Sequence, residues 1–412
     1  MISCIEVPLF LITHPKIFKN DILYVFWIWS FGHTVSGIDY ASRLYYPHRI
    51  SLIYIPHSGS NKYVPLCFQH NIDVFVYKSI IPSQKIGHVD VAKYYVLRFF
   101  IMVITAFFSK KQAITFFDVY RTISMAENKL QIGIEEKNIL VKDADWTGYI
   151  RLLREKIGRN PCLPNNLINI CKTKISQKYR DFSSKPFVVL LLRSKGISGD
   201  LNSSFRSSGC QLNYIAAVKY LTANGYHVVG TGETQHSHFK NINGYFQSDN
   251  VDLDKKLLNV FLLTNCSLFI GQMSGSYILP SSCGILCLLC DVMSYRLGAF
   301  GDQNIVLYKH LRDGTTEKIL SIVDIFRNHQ DLAFGYNFKK KNVLIEPNTS
   351  DEILEAIKEC VEILEGKFHM SDEDKLLCEK FKQLPSPEMH LYYQQNRMPM
   401  FVLRKMKEEL LK

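Results

Sequence analysis

Apolar residues in this chain gather in short, nearly unbroken runs, and stretches of helical spacing separate the runs. Residues 21–29 (DILYVFWIW), 50–55 (ISLIYI) and 72–77 (IDVFVY) are runs of this kind, rich in β-branched and aromatic side chains. Such runs predict strands buried on both faces, and their alternation with helices predicts parallel βαβ units. Helical spacing falls at residues 36–45 and 61–70, and it dominates residues 86–185, where Pro161 and Pro164 interrupt it. The pattern then begins again. Residues 187–192 (FVVLLL), 226–230 (YHVVG), 268–270 (LFI), 285–289 (ILCLL) and 342–345 (NVLI) predict strands. Residues 211–224, 252–265 and 351–365 predict helices. The first ends at Gly225, a residue suited to the left-handed turn after a helix. The last has Ser350 as its N-cap and two acids in its opening turn.

The fold class expected from this pattern is α/β, with two Rossmann-like domains facing each other across a cleft. Residues 1–180 form an N-terminal domain with a helical insertion. Residues 181–390 form the second domain, and residues 391–412 a terminal helix packing back on both. The polar, basic segment 172–185 reads as the linker or the end of the first domain. At 412 residues the chain is long enough for two such cores.

Charge divides the chain more sharply than hydropathy does. Residues 1–185 carry 24 Lys and Arg against 13 Asp and Glu, whereas residues 186–412 carry 25 of each, so the whole net charge of +11 belongs to the first half. That half is expected to attract anionic partners: phosphorylated lipids, acidic glycans or nucleic acid. No recognised nucleic-acid module appears, which turns the expectation toward glycan or lipid. Residues 94–108 (YYVLRFFIMVITAFF) are the most hydrophobic stretch, too short to span a bilayer comfortably and interrupted by Arg98. They read as a core helix or, with Lys110 and Lys111 following, as a segment resting on the inner membrane face. Eleven irregularly spaced cysteines point to a reducing cytoplasm rather than to a disulfide scaffold.

The chemistry is expected at the carboxyl ends of the strands, where open α/β sheets bind ligands. Arg193 follows the buried run FVVLLL, placed to grip two phosphate oxygens of a departing nucleoside diphosphate and so do a metal ion's work; Arg206 is a second cation in the same loop. Phe269-Ile-Gly-Gln-Met-Ser-Gly-Ser276 leads from a strand toward a helix. Small residues there let amides approach a phosphate, and Ser274 and Ser276 add hydroxyls. His33, in the loop Phe31-Gly-His-Thr34 after the first strand, is the candidate base, with Asp39 to orient its ring. Cys283-x3-Cys287-x2-Cys290 matches an iron–sulfur spacing but reads as a buried strand. Asp252-x-Asp254 reads as a helix start, and Asp143-x-Asp145 follows no clear strand. His236 and His238 have no acid or Cys at ligand spacing, so no metal site is expected.

Several segments carry a likeness. Leu190-Leu-Leu-Arg193, Tyr214-Ile-Ala-Ala-Val-Lys-Tyr-Leu221, Gly225-Tyr-His-Val-Val-Gly-Thr-Gly-Glu233, the Phe269–Ser276 motif with Pro280, and Pro399-Met-Phe-Val-Leu-Arg404 occur in order. Together they resemble a family of bacterial GT-B-type glycosyltransferases of surface-polysaccharide clusters, itself distantly similar to fucosyltransferases with an Arg-containing donor loop. The resemblance implies a metal-independent transfer of sugar from a nucleotide-sugar to a glycan or lipid-linked acceptor, without a cofactor. It implies donor binding by Arg193, Arg206, Gly232, Glu233, Ser274, Gly275 and Ser276. Two positions depart from the family pattern: Ser194 stands where an Asp is usual, and Gly232-Glu233 where Gly-Asp is usual. The alternatives are a polyol-phosphate transferase, a nucleotide-sugar epimerase, and a non-catalytic binder of nucleotide sugars or anionic glycans.

Overall fold

A computed structural model describes residues 2–26, 31–55, 61–77, 88–107, 112–115, 160–193, 207, 209–272, 274–292, 304–328, 342–384 and 396–412. Within these, the residues up to Thr115, with 160–164, form one compact unit, and those from Asn165 onward form a second.

The first unit runs α1 (Ile2–Thr13), β1 (Ile22–Phe26), α2 (Phe31–Leu44), β2 (Ile50–Tyr54), β3 (Ile72–Val76), α3 (His88–Phe107) and β4 (Gln112–Thr115). Its sheet has the order β3-β2-β1-β4 with every pair parallel. β1 and β2 are buried at every position, as their unbroken apolar runs require. The helix expected over residues 61–70 is instead a single 3-10 turn, Pro65–Phe68. Pro65 has no N–H to donate, and its ring clashes with a preceding helical turn. β4 lies inside a stretch, 86–185, read as largely helical; residues 116–159 of it, with Asp143 and Asp145, lie outside the described residues.

The second unit opens with α4 (Asn165–Lys178) and β5 (Phe187–Leu191). It continues with α5 (Ile215–Ala223), β6 (His227–Thr231), α6 (His236–Phe239), β7 (Tyr245–Gln247), α7 (Lys255–Asn265), β8 (Leu268–Gly271), α8 (Ile278–Ser282), β9 (Leu286–Val292) and β10 (Ile305–Tyr308). The expected linker over residues 172–185 is therefore corrected. Most of it belongs to α4, which packs on α7 with Cys171 and Ile175 buried; Tyr179 then meets Phe246 at 4.4 Å and Phe182 meets Phe187 at 5.1 Å.

All six strands β5 to β10 are parallel, in the order β10-β9-β8-β5-β6-β7. Taken along the chain, this is the 3-2-1-4-5-6 arrangement of a doubly wound dinucleotide-type fold, and the winding reverses between β5 and β8. Gly225 ends α5 at φ +85°, with Tyr226 N–H donating to the Leu221 carbonyl at 3.1 Å, the left-handed cap its position predicts.

Beyond β10 the chain forms β11 (His310–Asp313), β12 (Ile319–Leu320), α9 (Ile322–Asn328) and β13 (Val343–Glu346). Residues 342–345, expected as another parallel strand, pair antiparallel with β11 in a separate sheet of order β12-β11-β13. Arg312 on β11 grips Glu346 on β13 through Nε at 2.6 Å and Nη2 at 3.0 Å. α10 (Ser350–Leu364) begins one residue earlier than expected, because Thr349 and Glu352 form the capping box and Ser350 is the first helical residue. It buries Ile353, Ala356, Ile357, Cys360 and Val361 against the large sheet; each isoleucine contributes roughly 1.5–3 kcal/mol. α11 (Asp372–Gln383), α12 (Met400–Lys405) and α13 (Lys407–Leu411) complete the unit. The tail is clamped by a bidentate Arg404–Asp374 pair at 2.8 Å and by Met400 N–H donating to Glu359 at 2.7 Å. The Pro399–Arg404 segment thus anchors the C-terminus within this unit.

Candidate functional site

At the reversal point of the large sheet, β5 and β8 are hydrogen-bonded neighbours, with Leu190 opposite Ile270 and Leu191 opposite Gly271. Their carboxyl ends, Leu192-Arg193 and Gln272, therefore emerge side by side. This is the crevice where doubly wound sheets bind ligands. Gly271 is needed there because a Cβ would stand 2.7 Å from the Leu191 carbonyl oxygen. Gln272 is fully buried and accepts the Arg193 backbone N–H at 2.8 Å, tying the two loops together. Thr234, from the turn after β6, accepts from Leu192 N–H at 2.8 Å and donates to the Leu190 carbonyl at 3.0 Å. The backbone beneath Arg193 is thus fixed on two sides, while its own side chain is half-buried.

A chain of buried polar groups stands behind Gln272. Its Nε2 donates to the Tyr214 hydroxyl at 3.0 Å, and that hydroxyl donates to Asp291 Oδ2 at 2.9 Å. Asp291 and Asn348 exchange two bonds: Asn348 N–H to Asp291 Oδ1 at 2.8 Å, and Asp291 N–H to Asn348 Oδ1 at 2.6 Å. Asn348 Nδ2 reaches the Tyr308 carbonyl at 2.7 Å. The carboxyl ends of β8, β9 and β10 are thereby joined through side chains. Asp291 has φ +55°, a left-handed conformation uncommon outside glycine. Burial pushes its carboxyl up to about 6, against the opposing pull of Lys309. Burial and the neighbouring Asp291 hold the Tyr214 phenol well above its ordinary range, so it donates rather than ionises. Lys309 is itself buried, and its ammonium donates to the Ser207 carbonyl at 2.8 Å. Gln272 lies inside the Phe269–Ser276 motif without being singled out in it, and nothing in the sequence pattern flagged Asp291, Asn348 or Lys309.

The remaining expected residues fall as follows. Gly232, at φ +65°, and half-buried Glu233 form the turn after β6, where Gln211 Nε2 donates to the Glu233 carbonyl at 3.2 Å. Ser274, Gly275 and Ser276 follow Gln272 closely, but the helix expected to present their amides is weaker than its motif suggests. A 3-10 turn, Gly275–Tyr277, leads into α8, which has only five residues and contains Pro280. So short a helix adds little dipole, and the Ser274 hydroxyl already accepts the Ser276 N–H at 3.4 Å. Arg206 and Ser194 lie outside the described residues.

In the first unit, residues 31–34 are the opening turn of α2 rather than a loop. His33 is exposed on that turn, just beyond the carboxyl end of β1, and partial desolvation lowers its pKa, so the ring is neutral at pH 7. Asp39 lies six residues along the same helix, about 9 Å up its axis and on another face. It is buried and paired with Arg43 Nε at 2.7 Å, which makes it an anchor of α2 in place of the expected orienting partner of His33.

Of the motifs set aside in the sequence, Asp143-x-Asp145 lies outside the described residues, and the others take these places. Asp254 caps α7 by accepting Lys256 N–H at 2.8 Å. His236 stacks on Tyr245 at 5.7 Å. Cys287 and Cys290 lie within β9, three residues apart and so on opposite faces, and burial holds the Cys290 thiol protonated. Among the described residues, ten cysteines carry free thiols, and no group of three or more metal-ligating side chains comes together.

No protein-family model and no curated protein sequence matches the chain. Solved structures similar to it include a glycosyl transferase family 9 protein from Veillonella parvula. It is 12% identical over 70% of this chain and 86% of that one, with a TM-score of 0.43. An ADP-heptose lipopolysaccharide heptosyltransferase II from E. coli is 11% identical over 70% and 90%, at 0.36. A UDP-GlcNAc 2-epimerase from Neisseria meningitidis, bound to UDP-GlcNAc, is 11% identical over 84% and 99%, at 0.34. At these scores the likeness carries nothing about reaction, ligand or the fucosyltransferase resemblance, and the α/β architecture rests on the strand orders themselves.

Proposed function

We propose that the protein is a metal-independent glycosyltransferase that moves a sugar from a nucleotide-sugar donor to a glycan or lipid-linked acceptor in surface-polysaccharide synthesis. The observation that carries this reading is the reversal point of the second unit's sheet, where Arg193 stands on a backbone locked by Gln272 and Thr234. The motif resemblance of residues 185–405 points the same way, and the ten free thiols suit a cytoplasmic site of action.

In this reading the donor diphosphate lies against Arg193, with Arg206, the Gly232-Glu233 turn and the Ser274–Ser276 turn completing its cradle. The acceptor hydroxyl attacks the anomeric carbon and gives its proton to a base, the role for which His33 of the first unit is the candidate. The bond from the anomeric carbon to the diphosphate oxygen breaks with its electron pair, and the Arg193 guanidinium neutralises the charge that develops. No cofactor takes part. Asp39, buried and paired with Arg43 one turn on, lies in the same helix as His33.

The experiment that tests the reading is transfer or donor hydrolysis over a nucleotide-sugar panel, with nucleotide binding measured in parallel. Arg193→Ala is expected to lose both binding and turnover. His33→Ala is expected to keep binding and lose transfer. Unchanged turnover in both variants would overturn the assignment.

A further inference from the structure

We propose that the outer face of α1 and α3 in the first unit seats on a lipid surface carrying anionic headgroups. Both helices are two-sided in an unusual way. Inward they supply Val7, Phe10 and Leu11 from α1, and Tyr94, Leu97 and Ile101 from α3, to one core cluster. Outward they are also apolar: Leu9 is 54% and Ile12 75% exposed on α1, and Tyr95 56%, Phe99 63%, Met102 51% and Val103 39% on α3. Residues 95, 99, 102 and 103 recur at helical spacing, so they form one continuous stripe. The two helices pack against each other, which sets the α1 and α3 side chains on adjoining ground. A solvent-facing stripe of this kind normally carries charge; contiguous exposed apolar surface marks a place where something docks.

Charge decides what docks. From Tyr94 to Phe107, α3 contains no acid and a single basic residue, Arg98. The one acid of α1, Glu6, is buried and accepts from the Tyr77 hydroxyl at 3.3 Å. Lys16 and Lys19 stand exposed on the turn that leaves α1. The chain entering β1 meets the chain entering β4 where Gln112 N–H donates to the Asp21 carbonyl at 2.8 Å, at the amino-terminal end of this parallel pair. In sequence, Lys110 and Lys111 immediately precede Gln112, and Asp21, which begins the entry to β1, is exposed. An apolar stripe with exposed Lys16 and Lys19 at the end of α1 suits acyl boundary and anionic headgroups together, as interfacial helices do. A second copy of this chain would set lysines against lysines.

The proposal rests on the lipid-linked acceptor reading for its purpose, but its test is separate. The full chain, without nucleotide, is mixed with vesicles of phosphatidylcholine alone or with one third phosphatidylglycerol. Association with the anionic vesicles is expected to be about tenfold or more stronger, and to weaken as salt rises. The double variant Phe99→Ser, Met102→Ser, both exposed and so expected to fold normally, should lose most of it, and Lys16→Ala, Lys19→Ala should lose the anionic preference. Equal binding by the Phe99/Met102 variant and the wild type would overturn the proposal. So would self-association, abolished by that variant, without vesicle binding. Failure of nucleotide binding, by contrast, would sink the transferase reading and leave this surface standing.

Discussion

Tyr214→Phe removes one oxygen from the most connected position behind the candidate donor site. The hydroxyl accepts from Gln272 Nε2 at 3.0 Å and donates to Asp291 Oδ2 at 2.9 Å, and Tyr214 is completely buried. The phenyl ring keeps its packing, so the loss is confined to polar bonds. A neutral hydrogen bond contributes about 0.5–1.5 kcal/mol net and one to a charged group about 1.5–3 kcal/mol, which places the cost near 2–4 kcal/mol. Water does not readily replace the oxygen, because Gln272 and Asp291 are also buried. For a unit of this size 1 kcal/mol lowers Tm by about 2–4 °C, so a fall of roughly 6–12 °C is expected for a mid-range loss. Urea unfolding gives the free energy directly, and hydrogen exchange at the Arg193 amide reports whether its bond to Gln272 loosens as well. A loss below about 0.5 kcal/mol, within the range of an ordinary surface change, would refute the claim that this network holds the site.

Two further outcomes follow from the same region. Folded Asp291 takes its proton below about 6, while an unfolded aspartate does so only near 4, so its contribution to stability rises by roughly 1.3 kcal/mol as pH falls from 7 to 5, and reaches its full value of about 3 kcal/mol only below pH 4. The difference between wild type and Asp291→Asn isolates this, because the His310–Glu352 pair is common to both; there His310 is raised by its bond to Glu352, and Glu352, despite burial, is drawn down to about 2. A difference that stays flat between pH 5 and 7 would contradict the assignment. Gly271→Ala forces a Cβ against the Leu191 carbonyl and is expected to cost about 1–3 kcal/mol in urea unfolding and to weaken nucleotide binding with it; neutral behaviour would show that β5 and β8 separate easily.

Most parallel strands were legible because each falls on an apolar run: β1, β2, β5, β6, β8 and β9 are buried at every position, whereas β3, broken by Asp73, keeps only Ile72 buried. β4, β7 and β10 were not; β4 and β7 are short and carry Gln or Thr at their ends, and β10 was passed over although its four residues are apolar. The antiparallel sheet was hidden for a different reason. β11 is half polar and β12 only two residues long, and the pairing that joins β11 to the predicted strand β13, with Arg312 on Glu346, spans 34 residues. In the candidate site, Arg193 could be singled out because a lone cation at the end of a buried strand is a local signal. Gln272, Tyr214, Asp291 and Asn348 meet across separations of 57 to 77 residues, and Asp291 hides in an apolar strand. Asp39 shows the opposite error. A spacing of six suggests proximity in a loop, but in a helix it turns the side chain away, toward Arg43.

Nucleotide binding at the sheet's reversal point tests the account most directly. UDP, GDP, ADP and CMP are each added to the full chain, with and without EDTA, and thermal stability is followed. A ligand at about 100 times its Kd adds roughly 2.7 kcal/mol. The account predicts a clear shift with one nucleotide, unchanged by EDTA and absent in Arg193→Ala. No shift with any of the four, or a shift that Arg193→Ala leaves intact, would contradict it.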